Sequence, residues 1–357
     1  MKNKRNIILT IAALVVLFGL SCFAQFELDY YIRRVINLCL IYAIIGLSMN
    51  LTNGFAGQFS LGQAGFMAIG AYTVGIFTVP VELRANVFYA VPMNPLIADI
   101  QMPLWLALLV GGVLSALVAF LIGTPVLRLR GDYLAIATLG FSEIIRIVIT
   151  NAQTFTNGAL GIKDIPALND VRYIFIATAI TFIFITCLVN SSYGRAFKAI
   201  REDEIAAEAM GINLFHHKCM AFMLSAFFAG IGGGLYATLL GTVDPKNFLF
   251  TLTYNFLLII VLGGMGSITG SMLGSIIVTA GLEFLRVFDE PFYMFGTSIP
   301  LFRPGFRMVI FSVLLMACVL FWRKGIMGTE EFTWDKFISF CKNPFRYVMK
   351  KGAKNNG

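Results

Sequence analysis

Glu143 and Arg146, three residues apart in TLGFSEIIRIVIT, and Glu283 and Arg286, three apart in GLEFLR, are ionisable side chains set in apolar sequence. That spacing puts each pair on one helix face. A charge at the centre of a bilayer costs roughly 2.5–3.5 kcal/mol on insertion scales, so such residues need a reason to be there. Two reasons fit Glu143–Arg146: a polar lining for a zwitterionic or charged cargo, or a self-neutralising pair that fixes helix packing. Glu283–Arg286 lies near the end of its apolar run and reads as a packing pair. Covalent chemistry has little to work with. His216 and His217 are adjacent at the edge of an apolar run and read as interfacial anchors. The sequence has no HExxH, no GxSxG and no GxxxxGKS/T, so it carries no phosphate loop of its own for ATP. Cys22, Cys39, Cys187, Cys219, Cys318 and Cys341 are scattered, form no CxxC, and read neither as metal ligands nor as a disulfide framework. An enzyme is not expected, and no cofactor or metal is expected in this chain.

Two glycine-rich stretches interrupt apolar runs: NLTNGFAGQFSLGQAGFMAIGAYTVG from Asn50 and LGGMGSITGSMLG from Leu262. Each is followed by small residues four apart, Ser60, Ala64 and Ala68 in one and Gly266, Gly270 and Gly274 in the other. Small residues at that spacing let helix backbones approach closely in lipid. Backbone groups freed by a broken helix cannot face lipid, so they are buried in protein or line a polar cavity. Paired broken segments point toward a transport path. The candidates for its lining are Asn50, Gly57, Gln58, Ser60, Gln63, Glu143, Arg146, Gly263, Gly264 and Gly266, with tight helix packing as the alternative for each.

The elements that position these residues must be membrane helices. The chain has 357 residues, of which 58% are hydrophobic and 13% charged, where soluble domains carry about 25% charged residues. The net charge of +8 reads as basic residues kept on the cytoplasmic side of a membrane and not as a nucleic-acid footprint. After a basic start and a first apolar stretch within 1–25, taken as a retained span, the runs are 35–52, 60–80, 103–127, 133–150, 171–190, 219–242, 251–286 and 305–322. If the start is inside, Arg128 and Arg130 and the loop 191–218 are inside too. The tail holds Arg323, Lys324, Lys336, Lys342, Arg346, Lys350, Lys351 and Lys354, and it stays inside if 251–286 crosses twice, turning at Gly263–Ser267; the first arm is short, so a re-entrant or broken segment is the alternative. The expectation is an all-α integral membrane protein of about ten spans with both termini cytoplasmic: an N-terminal span and connection (1–34), a core (35–322) and a basic tail (323–357) that suits anionic lipid or, equally, stays solvated.

The loop 191–218 is the charged interval between apolar runs. It has no proline or glycine from Arg195 to Met210 and reads as one helix. Arg201, Glu204 and Glu208 fall on one face; Ile205, Ala206, Ala209 and Met210 fall on another; Gly211 and Asn213 supply the stop. Its four basic residues are balanced by four acidic ones. A lipid-surface helix is rich in lysine and arginine, so this balance favours a protein partner.

NLTNGFAGQFSLGQAGFMAIGAY, LRLRGDYLAIATLGFSEIIRIVITN with TNGALGI, and YGRAFKAIREDEIAAEAMGIN together resemble the LivM-type permeases of branched-chain amino acid ABC importers, over about residues 36–279. The resemblance implies a complex in the bacterial inner membrane: this permease, a second LivH-like permease, two ATPase subunits that bind ATP and Mg, and a periplasmic substrate-binding protein. The charged loop resembles the EAA loop by which such permeases dock on their ATPases. Ala206, Ala207 and Gly211 match its pattern, while Ile205 stands where glutamate is expected, between Glu204 and Glu208. The implied coupling set is Arg201, Glu204, Ala206, Ala207, Glu208 and Gly211. TNGALGI departs from the TGG-rich form associated with the family. Urea or a short amide is the alternative cargo; a self-contained channel or a membrane enzyme is the alternative class.

Overall fold

The structure is a computed structural model. It describes residues 2–127 and 132–286, and beyond these 293–294, 297–298, 309–313, 316, 320, 325–328 and 331–334. Arg128, Arg130, most of the last apolar run and the basic tail beyond 334 lie outside the described residues.

The helices, in chain order, are α1 (Lys2–Glu27), α2 (Tyr30–Asn50), α3 (Gln63–Thr78), α4 (Val81–Val87), α5 (Pro95–Ala98), α6 (Leu104–Val126), α7 (Asp132–Asn151), α8 (Gln153–Thr156), α9 (Val171–Asn190), α10 (Ser192–Glu202), α11 (Glu204–Ala209), α12 (Leu214–Leu240), α13 (Phe250–Gly263) and α14 (Ile268–Phe284). Among the described residues, five helical stretches are long and apolar enough to cross a membrane: 30–55, 104–126, 133–151, 171–190 and 214–240. The α3–α4 pair, bent by 119° at Val79–Pro80, where proline cannot continue the helix, is a broken span or a re-entrant loop. α1 from Ala12, α13 and α14 are shorter apolar helices. The long run 251–286 divides into α13 and α14 at Gly264–Ser267.

The centre of the bundle is made by small residues. On α6, Ala107, Gly111, Ser115, Ala119 and Gly123 recur every fourth position and are all buried. This strip faces α3 and α12, and three glycines meet there. A Cβ on Gly70 (α3) would collide with the carbonyl oxygen of Gly230 (α12), and one on Gly111 would come within 3.2 Å of the Gly70 carbonyl oxygen. Ser115 donates to the Phe66 and Gly111 carbonyls at 3.0 and 2.8 Å. Between apolar surfaces in lipid, such backbone contact takes the place of the hydrophobic effect as the source of cohesion. α2 runs beside this group and packs against α9, α12, α13 and α14. Within the α13–α14 hairpin the expected small residues do the same work: Gly263 meets Gly270, and Gly274 meets the Ile259 carbonyl.

At the end away from α10, the connection after α3 is organised by Arg84, which is 4% exposed. Its guanidinium donates to the carbonyls of Val79, Ile97, Ala98 and Ile100 at 2.6–3.1 Å. Asn157 donates to Val87 and Gly161 at 2.9 and 2.7 Å, and Ile162 pairs with Val243, so the segments that cap this end are tied to one another.

The all-helical architecture expected from the sequence holds, and one short extended pair accompanies it. Tyr293–Met294 pairs antiparallel with Thr297–Ser298.

Candidate functional site: the coupling junction

The loop 191–218 is two helices and not one. Asp203 leaves the helix with φ −157° and ψ 113°, and its carboxylate accepts from the backbone N–H groups of Ile205 and Ala206 at 2.8 and 3.1 Å. Aspartate is a weak helix former and a strong N-cap, worth about 1 kcal/mol, and here it restarts the helix in a new direction. The shared face expected for Arg201, Glu204 and Glu208 therefore does not exist.

The break divides the coupling candidates. Arg201, at the end of α10, turns into the bundle: its Nη1 donates to the Gly54 carbonyl at 3.0 Å, while Nη2 pairs with Glu202 at 2.6 Å. Its slot is walled by two glycines with positive φ, Gly57 (+68°) and Gly266 (+86°), one from each glycine-rich stretch. A Cβ on Gly57 would lie 2.9 Å from Arg201 Cγ, and one on Gly266 would lie 2.8 Å from its Nη1. On α11, Ala207 is buried and Glu204 pairs with Lys218 of α12 at 2.6 Å. Ala206, Glu208 and Gly211 are exposed. So are Ile205 and Met210, at 77% and 83%, which leaves an apolar pair outside the bundle.

The first glycine-rich stretch begins where α2 loosens into a π-helical turn, Leu51–Phe55. Asn53 then closes the loop by bonding both the N–H and the carbonyl of Ser60, at 3.1 and 3.2 Å. Ser60 Oγ in turn accepts from Gly62. Gln63, at the start of α3, donates to Ser48 of α2 and Ser225 of α12. Lys198 of α10 rests 5.7 Å from the centre of the Phe55 ring.

Asn50 joins the two glycine-rich stretches. It is fully buried, its amide nitrogen donates to the Ser267 carbonyl and Ser271 Oγ at 2.8 Å each, and its amide oxygen accepts from Gly266 N at 2.9 Å. The last residue of α13, Gly263, and the turn residue Gly264 complete this corner. The structure thus gathers Asn50, Gly57, Ser60, Gln63, Gly263, Gly264, Gly266 and Arg201 at the loop end of the bundle. Among the polar members, Gln58 differs: it is 3% exposed and neither amide atom has a hydrogen-bond partner among the described residues.

Glu143 and Arg146 are not part of this group. They pair at 2.7 Å, and the second Glu143 oxygen accepts from Phe250 N at 3.2 Å, the first N–H of α13. The carboxylate thus satisfies a helix N-terminus in a neighbouring element. Glu283 pairs with Arg286 at 3.0 Å and accepts from the Tyr31 hydroxyl at 2.9 Å, tying α14 to the start of α2. His217 Nδ1 lies 2.8 Å from the Asn213 carbonyl one turn back. Among the described residues no three His, Cys, Asp or Glu side chains cluster as metal ligands would.

Long apolar helices, broken at glycines and knit at the breaks by buried amides, with one charged loop packed on the end of the bundle, define a multi-pass membrane permease. The chain belongs to the family of branched-chain amino acid transport system permease components, which matches residues 31–319. It is 35% identical over 290 residues to the high-affinity branched-chain amino acid transport permease LivM of Escherichia coli K12, covering 72% of this chain and 64% of that protein's length. The probable LivM of Methanocaldococcus jannaschii is 26% identical over 315 residues, 80% of this chain and 90% of the relative. The guanosine ABC transporter permease NupQ of Bacillus subtilis is 28% identical over 203 residues, 51% of this chain and 59% of the relative. No solved structure matches the chain.

Proposed function

We propose that the chain is one permease subunit of an ABC importer that carries branched-chain, aliphatic amino acids inward across the bacterial cytoplasmic membrane. Its partners are a second, LivH-like permease, two ATPase subunits that hold ATP and Mg, and a periplasmic binding protein that delivers the cargo. Ten crossings fit this reading: the five long stretches, the bent α3–α4 pair, α1, α13, α14 and the run 305–322. Trp334 donates to Thr10 Oγ1 at 3.0 Å, which brings the third turn of α1 and the post-span segment together and supports both termini lying on one side of the membrane, taken as the cytoplasmic side from the basic residues.

The observation that carries the proposal is the division of labour in 191–218. α11 and the residue that ends it present Ile205 and Met210 outward, while α10 sends Arg201 inward to both glycine-rich stretches. A short helix with an exposed apolar pair suits an ATPase groove, and the sequence lacks a phosphate loop of its own. In the reconstituted complex, Ile205→Asp combined with Met210→Asp is expected to cost about 2 kcal/mol or more of docking energy at an interface centre, roughly thirty-fold in affinity. Binding-protein-stimulated ATPase activity should fall accordingly while the two permeases still co-purify. Glu208→Lys and a bulky residue at Gly211 should act in the same direction. Full stimulation in all of these variants would remove α11 from the docking role.

Gln58 is assigned to the transport path because its buried amide has no partner among the described residues. A buried amide without partners costs about 1–3 kcal/mol, so Gln58→Met should raise the thermal unfolding midpoint of the purified chain. If the amide contacts cargo or path water in another state, the same variant should lower uptake several-fold. A variant that is both less stable and fully active would show that the amide serves packing alone.

Cargo is set by uptake with a panel of leucine, isoleucine, valine, urea and guanosine, each with its cognate binding protein. Guanosine belongs in the panel because of the NupQ likeness. Preferential uptake of urea or guanosine would overturn the aliphatic assignment. Substantial flux through the chain alone, without partners, would overturn the importer.

A further inference from the structure

The segment after the last span makes contacts that neither the coupling loop nor the transport path explains. Ile326 N and Met327 N donate to the carbonyls of Leu262 and Gly263 at 2.8 and 3.1 Å. Those are terminal carbonyls of α13, which have no acceptor role left within the helix. Glu331 reaches the other side of the same turn. Its carboxylate accepts from Ile268 N at 2.6 Å, Thr269 N at 3.2 Å and Thr269 Oγ1 at 2.9 Å. Those N–H groups are the first of α14. One short piece of chain therefore caps the end of α13 and the beginning of α14 together. Fit is close: a Cβ on Gly264 would collide with the Gly328 carbonyl, and Phe332 N adds a bond to Thr269 Oγ1 at 3.1 Å.

The turn capped from this side is the one that Asn50 and Arg201 reach from the other. Gly266 lies between Asn50 Oδ1 and the Arg201 guanidinium, and Ser267 accepts from Asn50. We propose that Ile326, Met327 and Glu331 form a latch on the α13–α14 turn, with Glu331 as its positioning residue, and that opening the latch loosens the coupling junction. A carboxylate at a helix N-terminus is favoured by the N–H groups and by the helix dipole, yet it is held here by a separate segment and can leave without unwinding α14. The importer reading enters only in the transport arm of the test.

The test uses the full chain in lipid nanodiscs and amide hydrogen exchange. In Glu331→Ala, exchange at Ile268 and Thr269 is expected to rise about ten-fold, the scale of a lost N-cap. Peptides covering 51–57 and 196–202 should speed up with them. Glu331→Gln keeps one neutral acceptor and should fall between, which preserves the comparison if the alanine variant does not accumulate. Unchanged exchange at 268–269 overturns the latch. Acceleration confined to 268–269, with 51–57 and 196–202 unmoved, overturns its link to the junction. In the assembled complex, both variants should move several-fold less cargo per ATP hydrolysed; an unchanged ratio overturns the latch's part in transport. A wild-type complex that moves no cargo would count against the importer, and the exchange result would still decide the latch.

Discussion

Gly70→Leu is expected to leave almost no folded protein in the membrane. The carbonyl of Gly230 occupies the place where a Cβ would go, and that atom is backbone on a helix fixed by its neighbours. Relief would require α3 and α12 to separate, which would also undo the Gly111 contact and the Ser115 bond to Phe66. Overpacking of a well-filled core costs about 1–3 kcal/mol when side chains can yield. Here only backbone is available to yield, so even Gly70→Ala should lie at or above the top of that range. Gly140 gives the control. A Cβ there meets nothing within 4 Å, and alanine is favoured over glycine inside a helix by about 1 kcal/mol. Gly140→Ala should therefore accumulate as well as the parent or better. The yield of monodisperse protein and the unfolding midpoint in detergent measure both. Equal yields for the alanine variants at 70 and 140 would mean that α3 and α12 do not meet in this way.

The second large effect is expected at Asn50. Asn50→Leu removes three hydrogen bonds and leaves Gly266 N without its buried acceptor. Hydrogen bonds between membrane helices average about 0.6 kcal/mol, whereas a buried polar group left unpaired costs about 1–3 kcal/mol. The second term decides, and the loss should be about 2–4 kcal/mol. Asn50→Asp tests the geometry more sharply. It is nearly the same shape and keeps the acceptor for Gly266, but as a carboxylate it cannot donate, and it would face the Ser267 carbonyl oxygen. It should be at least as unstable as the leucine variant at neutral pH, and it should recover partly in acid, where the protonated form can donate. An aspartate variant as stable as the parent would show that the amide nitrogen is not bonded to the α13–α14 turn.

The general plan of the bundle is legible in the residues. Apolar runs of about the right length become helices, and in the second glycine-rich stretch Gly270 and Gly274 of the i, i+4 series become close backbone contacts, while in the first the close approach is at Gly70, outside the Ser60, Ala64, Ala68 series. The positive-inside argument requires 251–286 to turn near Gly263, and α13 ends there. What escapes the sequence is local choice and distant partnership. The 195–210 interval is rich in helix formers, and their summed propensity hides the single residue, Asp203, whose side chain finds two backbone donors and ends α10. Asp followed by Glu-Ile-Ala-Ala is a recognisable N-cap signal once it is weighed against a continuous helix. Glu143 and Arg146 are visible as a pair, but the amide of Phe250 lies 107 positions away and leaves no mark near either residue. Glu331 is read as part of a solvated, basic end of the chain; its target is a helix start 62 or 63 positions earlier. Asn50 stands out as a polar residue beside a helix break, although its bonds are to a turn and not to an open path.

The contact of α3, α6 and α12 through glycine has a mechanical meaning. Van der Waals contact between backbones has one optimum and no alternative partners, so helices joined this way move together or separate at full cost. The other flank, where α2 meets the α13–α14 turn and α10, is joined by side-chain amides, a guanidinium and a carboxylate, groups that can exchange one acceptor for another with little change in energy. Stiffness in this protein is therefore unevenly distributed. One side of the bundle behaves as a fixed frame, and the freedom to change shape is concentrated in the few polar bonds on the other.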